Sequence, residues 1–168
     1  IESPDGDRIL MWGYSLEASV PAPTGLHAGF LGRMLYPGPT LIVNEGQTIQ
    51  VTLRNMLPDV HGQNVSIVFP GQKVTAAGGV AGALTQEAIP DGITTVTYTF
   101  VATNPGTYLY RSGTRPDLQT EMGLVGALIV RPTMAPVAED PPRPYTGLVN
   151  FAYNHAGTAY HHEYLYLV

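Results

Sequence analysis

Residues that can bind a metal or carry out acid–base chemistry are sparse in this chain. It has five His and no Cys. The one dense cluster of such residues is His161, His162 and Glu163. Neighbouring residues of a strand point to opposite faces, so the two imidazoles would chelate an ion poorly, and we favour the solvated start of a strand over a metal site. The other histidines stand alone in predicted loops and are expected at the surface: His27, His61 and His155.

The absence of cysteine decides two questions. The chain can form no disulfide, so cysteine usage cannot indicate the redox compartment. A blue-copper centre is also excluded within this chain, because that centre requires a Cys thiolate ligand.

Other catalytic motifs are weak. Ser66 and Ser112 have no evident His and Asp partners, so a hydrolase triad is not expected. The Gly-rich run Ala76–Gly82 lacks the Lys of a phosphate-binding loop and is predicted to be a flexible loop. One group of charged residues could form exposed ion pairs worth about 0–1 kcal/mol each, which would order a loop rather than catalyse a reaction. These residues are Arg111, Arg115, Asp117 and Glu121.

The composition favours a domain of many short strands and excludes several function classes. Charged residues make up 12% of the chain, against about 25% in ordinary soluble domains. The 19 Gly and 15 Pro suit frequent turns, and the net charge of -5 does not favour nucleic acid or an anionic membrane. No stretch reaches the roughly 20 apolar residues of a membrane-spanning helix. The first residues lack a signal-peptide pattern, which predicts a mature form or an excised domain.

Period-two alternation of apolar and polar residues predicts an all-β fold. We expect a two-sheet antiparallel Greek-key sandwich over Arg8–Arg131, with helix minor or absent. Tyr108 is a candidate tyrosine-corner residue, and Gly71–Gly92 and Gly113–Glu121 are predicted loops. The predicted strands are Arg8–Ala18, Gln47–Asn55, Asn64–Phe69, Thr95–Phe100, Gly106–Ser112 and Gly123–Val130.

The chain divides into a main domain and a C-terminal segment. Residues 1–132 form the predicted sandwich, and residues 133–147 form a Pro-rich linker that should be stiff. Residues 148–168 are too short to fold alone, and we expect them to begin a second domain or to pair with a partner. Within them, His162–Val168 is a predicted strand, and we expect Tyr160, Tyr164 and Tyr166 to face an interdomain or subunit surface.

Three blocks of sequence resemble a cupredoxin domain of the multicopper oxidase family. They are YPGPTLIVNEGQTIQVTLRN from Tyr36, NVSIVFPG from Asn64, and the pair PGTYLYRSGT and MGLVGALIVRP. The resemblance spans Tyr36–Pro132, and the order and spacing of the blocks are specific although each block alone is weak. It implies an N-terminal, cupredoxin-like Greek-key β-sandwich. The parent family consists of copper-dependent oxidoreductases that couple substrate oxidation to oxygen reduction.

The same resemblance nominates copper-ligand positions that have lost their ligands. The two His-x-His pairs of the family's trinuclear cluster fall on Val68 and Pro70, and on Arg111 and Gly113. The blue-copper Cys, His and Met positions fall on Ser112, Asp117 and Met122, of which only Met122 could serve in that pattern. We therefore expect no copper at these positions, with Met122, His161 and His162 as weak candidates elsewhere.

Three functions follow from this resemblance. The first is a copper-free cupredoxin domain with a structural role in a larger multicopper-oxidase-like protein whose missing domains carry copper. The second is a non-enzymatic binding module in a copper-less member of the family, and the third is an independent enzyme with another metal. A longer gene product containing His-Cys-His would favour the first over the second.

This chain alone is not expected to be an enzyme, although a larger parent protein could be a multicopper oxidase. We expect other cupredoxin domains or subunits to pack on residues 148–168. The family resemblance implies an extracellular or periplasmic location.

Overall fold

The first sheet contains the strands on either side of the predicted loop Gly113–Glu121. The computed structural model describes residues 4–8, 10–17, 32–57, 63–138 and 148–166. Strand β1 (Leu41–Asn44) lies next to β8 (Val125–Arg131), and β8 lies next to β7 (Gly106–Arg111). β7 and β8 are antiparallel, whereas β1 and β8 are parallel, with Leu41 opposite Leu128. The prediction of purely antiparallel pairing is therefore wrong at β1, because period-two alternation carries no information on strand direction.

The second sheet has the strand order β2-β6-β3 and is antiparallel throughout. It consists of β2 (Thr48–Arg54), β6 (Thr95–Val101) and β3 (Thr75–Gly78). The alternation in β6 is confirmed, since Val96, Tyr98 and Phe100 are 0%, 0% and 2% exposed. Burial of each large apolar side chain contributes about 1.5–3 kcal/mol.

Side chains from both sheets meet in one aromatic-rich core. The Phe69 ring lies 4.9 Å from that of Phe100 and 5.8 Å from that of Tyr110, measured between centroids. Tyr14 lies 5.5 Å from Tyr110 in the same way. The chain thus forms the expected all-β, cupredoxin-like Greek-key sandwich. Tyr108 donates to the carbonyl oxygen of Asn104 over 3.0 Å, as a tyrosine corner should.

Two predicted strands are wrong as continuous elements. Within Arg8–Ala18, the described residues make isolated bridges such as Tyr14 with Leu35, although Trp12 and Tyr14 are buried. Within Asn64–Phe69, Val65 pairs with Ala88 and Val68 pairs with Arg111. This second segment thus pairs with two parts of the chain that are distant in sequence, each through a single bridge, and forms no continuous ladder.

The region 71–92, predicted to be mostly loop, contains three strands. Besides β3, it holds β4 (Val80–Ala81) and β5 (Gln86–Glu87), which pair as a short hairpin. Small residues and Gly hide these strands because they lack the β-branched and aromatic side chains typical of strands. Gly79 fits here at φ +63°, where a Cβ would lie 2.2 Å from the Glu87 carbonyl oxygen.

The described part of the C-terminal segment forms a small third sheet. Strand β10 (Leu148–Phe151) pairs with β9 (Val137–Ala138) on one side and with β11 (Ala159–Tyr160) on the other. A 3₁₀ turn spans Ala156–Thr158. The predicted strand at His162–Val168 is wrong over its described residues 162–166, which lie outside any strand.

The C-terminal segment is tied to the first sheet by polar contacts. Arg131 binds Tyr160 and Glu163, and Asn154 donates to Glu45 over 2.6 Å. No helix in the described residues is long and apolar enough to cross a membrane.

Candidate functional site

The loop that follows β7 contains a single turn of helix, α1 (Pro116–Gln119). Pro116 occupies the start of this turn, where its missing N–H costs nothing, and Asp117 places a negative charge in the first turn. The prediction of an irregular loop over Gly113–Glu121 is therefore wrong in its middle. A Pro within a polar stretch favours a loop, but at a first helical position it favours the helix.

Three of the nominated ligand positions lie side by side. Val68 and Arg111 exchange backbone hydrogen bonds of 2.9 and 3.2 Å. A Cβ on Gly113 would lie 2.6 Å from the Cγ1 atom of Val68 and 3.1 Å from the Oγ atom of Ser66. Pro70 is exposed in the turn that follows Phe69. The structure thus brings Val68, Arg111 and Gly113 together and leaves Pro70 at the rim.

Arg111 is half-buried at this site. Its Nη1 atom donates to the carbonyl oxygen of Ser112 at a long 3.4 Å, and Arg111 is absent from the ion pairs among the described residues. A guanidinium carries a permanent charge and has no lone pair to donate to a metal. It therefore repels a cation at the position where an imidazole would bind one.

Behind these positions lies a buried polar cluster formed by Ser66, Ser112, Thr114 and Gln119. Ser66, Ser112 and Gln119 are each 0% exposed. The Oγ atom of Ser112 donates to Oε1 of Gln119 over 2.5 Å, and the Oγ atoms of Ser66 and Thr114 are 3.0 Å apart. Backbone N–H groups of Gly113 and Thr114 donate to the Ser66 and Ser112 hydroxyls over 3.2 Å each. The cluster therefore fixes the loop backbone through hydrogen bonds between protein atoms.

Gln119 connects this cluster to the segment that precedes Val65. Its Nε2 atom donates to the carbonyl oxygen of Asn64 over 2.9 Å and to Oε1 of Gln63 over 3.3 Å. Asn64 in turn donates to the buried carboxylate of Glu87 over 3.1 Å. Each polar side chain here has a partner within the protein, as burial requires.

Sequence reasoning missed this cluster. Gln is mostly exposed in proteins, so no pattern marked Gln119 as a buried residue. The available signal was Ser112, directly after β7 and two residues from the buried Tyr110, since a polar side chain at an inward position needs a buried partner.

Comparison with known proteins decides the family. The multicopper oxidase family matches residues 32–135, which is more than half of the chain. The chain belongs to the multicopper oxidase family. It is 33% identical to L-ascorbate oxidase of Cucurbita maxima over 88% of this chain and 24% of that protein. It is 36% identical to multicopper oxidase MCE of Talaromyces pinophilus over 85% of this chain and 22% of that protein.

A solved structure supports the fold of this multicopper oxidase domain. The multi-copper oxidase from Pseudomonas thermotolerans matches with a TM-score of 0.51 and 22% identity, over 63% of this chain and 25% of that one. At this identity the likeness concerns the fold alone. The chain spans about a quarter of the length of these curated relatives.

The residues at the nominated positions do not fit copper. Val68 has no donor atom, Gly113 has no side chain, and Pro70 has neither a side-chain donor nor an N–H. The hydroxyl and amide oxygens of the neighbouring polar cluster already bind one another. No group of three or more His, Cys, Asp or Glu side chains is placed to hold a metal among the described residues.

The three positions of the blue-copper pattern are dispersed. Ser112 belongs to the buried polar cluster, and Asp117 is exposed beside Arg115, with 3.8 Å between their charged groups. Met122 packs half-buried against the hydrophobic core. Of the predicted ion-pair network, Arg115–Asp117 is the one pair present in the part of the chain that the structure describes, so that network is wrong for Arg111 and Glu121.

The histidine cluster lies at the far end of the molecule. His161 and His162 are exposed, and both carboxylate oxygens of Glu163 are bound by Arg131 and Tyr160. Because the negative charge of Glu163 is paired with the positive charge of Arg131, little negative charge remains to attract a cation. Of the isolated histidines, His155 is exposed and its ring accepts from the N–H of Gly157, while His27 and His61 lie outside the described residues.

Proposed function

We propose that this chain is a copper-free cupredoxin domain with a structural role in a multicopper-oxidase-like protein. The observation that carries the proposal is the packing of Val68, Arg111 and Gly113 at the nominated ligand positions. A pocket for copper would need space and lone pairs at these positions. Instead Gly113 has Val68 against it, and Arg111 adds a positive charge.

The buried polar cluster supports a structural role. It orders the loop through hydrogen bonds between protein groups, so metal–ligand bonds are not needed for that purpose. Each such hydrogen bond contributes about 0.5–1.5 kcal/mol. The loop is therefore stable in a domain that contributes no ligands of its own. Copper chemistry, where the parent protein has it, would belong to other domains.

The exposed C-terminal residues support packing against a partner. Leu165 is 40% exposed and Tyr166 is 80% exposed, next to each other in the chain. Large contiguous apolar patches mark contact surfaces, and these two side chains would contribute to one. We propose that another cupredoxin domain or subunit packs there, in an extracellular or periplasmic protein as the family resemblance suggests.

Copper retention tests the proposal. The chain is loaded with copper, desalted and analysed for metal, together with a variant carrying His161→Ala and His162→Ala. We expect less than one copper per chain in the variant, and no absorption in the blue-copper region. One copper per chain retained by the variant, together with absorption in the blue-copper region, would overturn the proposal.

The chain without substitutions is the control. Copper that is retained by this chain and lost from the variant locates binding at the two histidines. That result leaves the site around Val68 copper-free, as proposed, and corrects the expectation that His161 and His162 bind metal poorly.

A further inference from the structure

A cavity of about 410 Å³ lies between the first sheet and the C-terminal segment. Its floor is formed by residues of β7 and β8, including Thr107 and Ile129. Its wall is formed by the C-terminal segment, with the aromatic rings of Phe151, Tyr160 and Tyr164. Small-molecule sites occupy about 300–1,000 Å³, so this cavity has room for one ring-sized group.

The charged groups of the cavity neutralise one another. Arg131 donates to Glu163 over 2.5 Å and to the Tyr160 hydroxyl over 3.0 Å. The Tyr160 hydroxyl donates to the second oxygen of Glu163 over 2.8 Å. Neither an anion nor a cation finds an uncompensated opposite charge here, because binding either one would require this ion pair to separate. The site therefore favours an uncharged ligand.

Aromatic and polar residues both line the cavity. Tyr153 and Tyr164 are 51% and 78% exposed, so their rings are accessible at the mouth. Thr107 and His162 add hydrogen-bonding groups to the lining, whereas the Thr158 hydroxyl is already bound to the backbone of Tyr153 and His155. A purely apolar ligand would leave the Thr107 and His162 groups without partners, at a cost of about 1–3 kcal/mol for each one fully buried. The lining suits a molecule with an apolar face and hydroxyl groups at its edge.

We propose that this cavity is a binding site for one neutral sugar ring, with Tyr164 as its stacking platform. The C–H face of a pyranose ring is apolar and packs on an aromatic ring, while its hydroxyl groups reach the polar lining. The proposal does not involve copper, and Leu165 and Tyr166 do not line the cavity.

Two exposed tyrosines of the same tail give a matched test. Tyr164 lines the cavity and is 78% exposed, whereas Tyr166 is 80% exposed and lies outside the lining. Replacing either residue with Ala should leave the fold intact, because exposed substitutions rarely change stability by more than about 0.5 kcal/mol. Only Tyr164→Ala therefore changes the cavity lining, and both variants are expected to fold.

The experiment is saturation-transfer NMR and calorimetric titration of the 168-residue chain with methyl glucoside, with linear sorbitol as a hydroxyl-matched control. We expect binding of the glucoside and not of sorbitol. Tyr164→Ala should weaken binding about five- to ten-fold, and Tyr166→Ala should leave it unchanged. No binding of the glucoside at 20 mM, or equal losses in the two variants, would overturn the proposal.

Discussion

At the scale of single residues, the site around Val68, Arg111 and Gly113 is defined by what its side chains cannot do. Valine and glycine offer no lone pairs, and arginine offers only donors. Polar groups are nevertheless abundant just behind them, in the buried polar cluster. Their mutual hydrogen bonds explain how a loop in the position of a metal-binding loop can be ordered by protein atoms alone.

The close contact between Gly113 and Val68 gives the first prediction. In Gly113→Ala the new Cβ would lie 2.6 Å from the Val68 Cγ1 atom, so the side chain or the backbone must move. We expect a loss of about 1–3 kcal/mol in the free energy of unfolding, measured by urea denaturation. In a variant that also carries Val68→Ala, the clash disappears, and a coupling of at least about 0.5 kcal/mol should appear. Strictly additive losses would show that the two positions are not in contact.

Gln119 gives the second prediction, with Asp117 on the same helical turn as its control. Gln119→Ala removes the acceptor of the Ser112 hydroxyl and the donor to the Asn64 carbonyl, all within a buried site. Leaving such groups unpaired costs about 1–3 kcal/mol. Asp117→Ala alters an exposed residue and should change stability by about 0.5 kcal/mol or less. Equal losses in thermal or urea unfolding would mean that the turn matters and the hydrogen bonds do not.

At the scale of elements, the sequence predicts strands where side chains alternate strongly and fails where other factors decide. β6 and β7 were predicted because bulky apolar residues recur at every second position. β3, β4 and β5 were missed because Ala and Gly give no such pattern. The direction of β1 and the double pairing of the 63–69 segment depend on contacts distant in sequence, which local patterns do not encode.

The candidate site likewise has one part that local sequence predicts and one part that it does not. The nominated positions could be located from short motifs, because each motif fixes a place on a strand or at its end. Their contact through the Val68–Arg111 bridge and the role of Gln119 follow from the packing of elements that are distant in sequence. A single sequence does not contain that information in a local form.

The C-terminal segment gives a prediction at this scale. Asn154 joins it to the rest of the molecule: its Oδ1 atom accepts from the Met134 N–H and the Thr133 hydroxyl, and its Nδ2 atom donates to Glu45. In Asn154→Ala we expect faster amide hydrogen exchange in β10 and β11, while β2 and β6 keep their protection. Mass spectrometry of exchange in peptides from both regions measures this. Faster exchange in both regions would mean that the segment is part of the main cooperative unit.

At the scale of the whole molecule, tyrosine hydroxyls tie the core to backbone groups on several sides. Tyr14 donates to the Ser66 carbonyl over 3.1 Å, Tyr98 to the Gln86 carbonyl over 2.7 Å, and Tyr110 to the Pro39 carbonyl over 2.6 Å. Burial raises the pKa of all three phenols. A buried phenolate would lose both its hydration and its hydrogen bond to a carbonyl, so the fold holds these groups in their neutral form.

This arrangement predicts alkaline unfolding with a defined sign. Burial raises the pKa of Tyr98 to about 12 from an ordinary value of 10.0. The neutral phenol therefore contributes stability that is fully present below pH 10 and is lost as the pH rises from 10 through 12. The free energy of unfolding should fall across this window by up to about 1.4 kcal/mol per pH unit for each phenol that ionises only in the unfolded chain.

Tyr98→Phe isolates the contribution of one phenol. It removes the titrating group, so the free energy of unfolding should fall less steeply between pH 10 and 12, by the equivalent of up to one bound proton. The loss of the hydrogen bond to Gln86 lowers stability by a similar amount at every pH and does not change the slope. Tyr166→Phe is the control for loss of a tyrosine hydroxyl outside the core, because Tyr166 is 80% exposed. Urea denaturation at half-unit pH steps from 8 to 12 measures both slopes. Parallel curves for the parent and Tyr98→Phe would show that Tyr98 ionises equally in the folded and unfolded chains, and that alkaline sensitivity arises from the other core phenols.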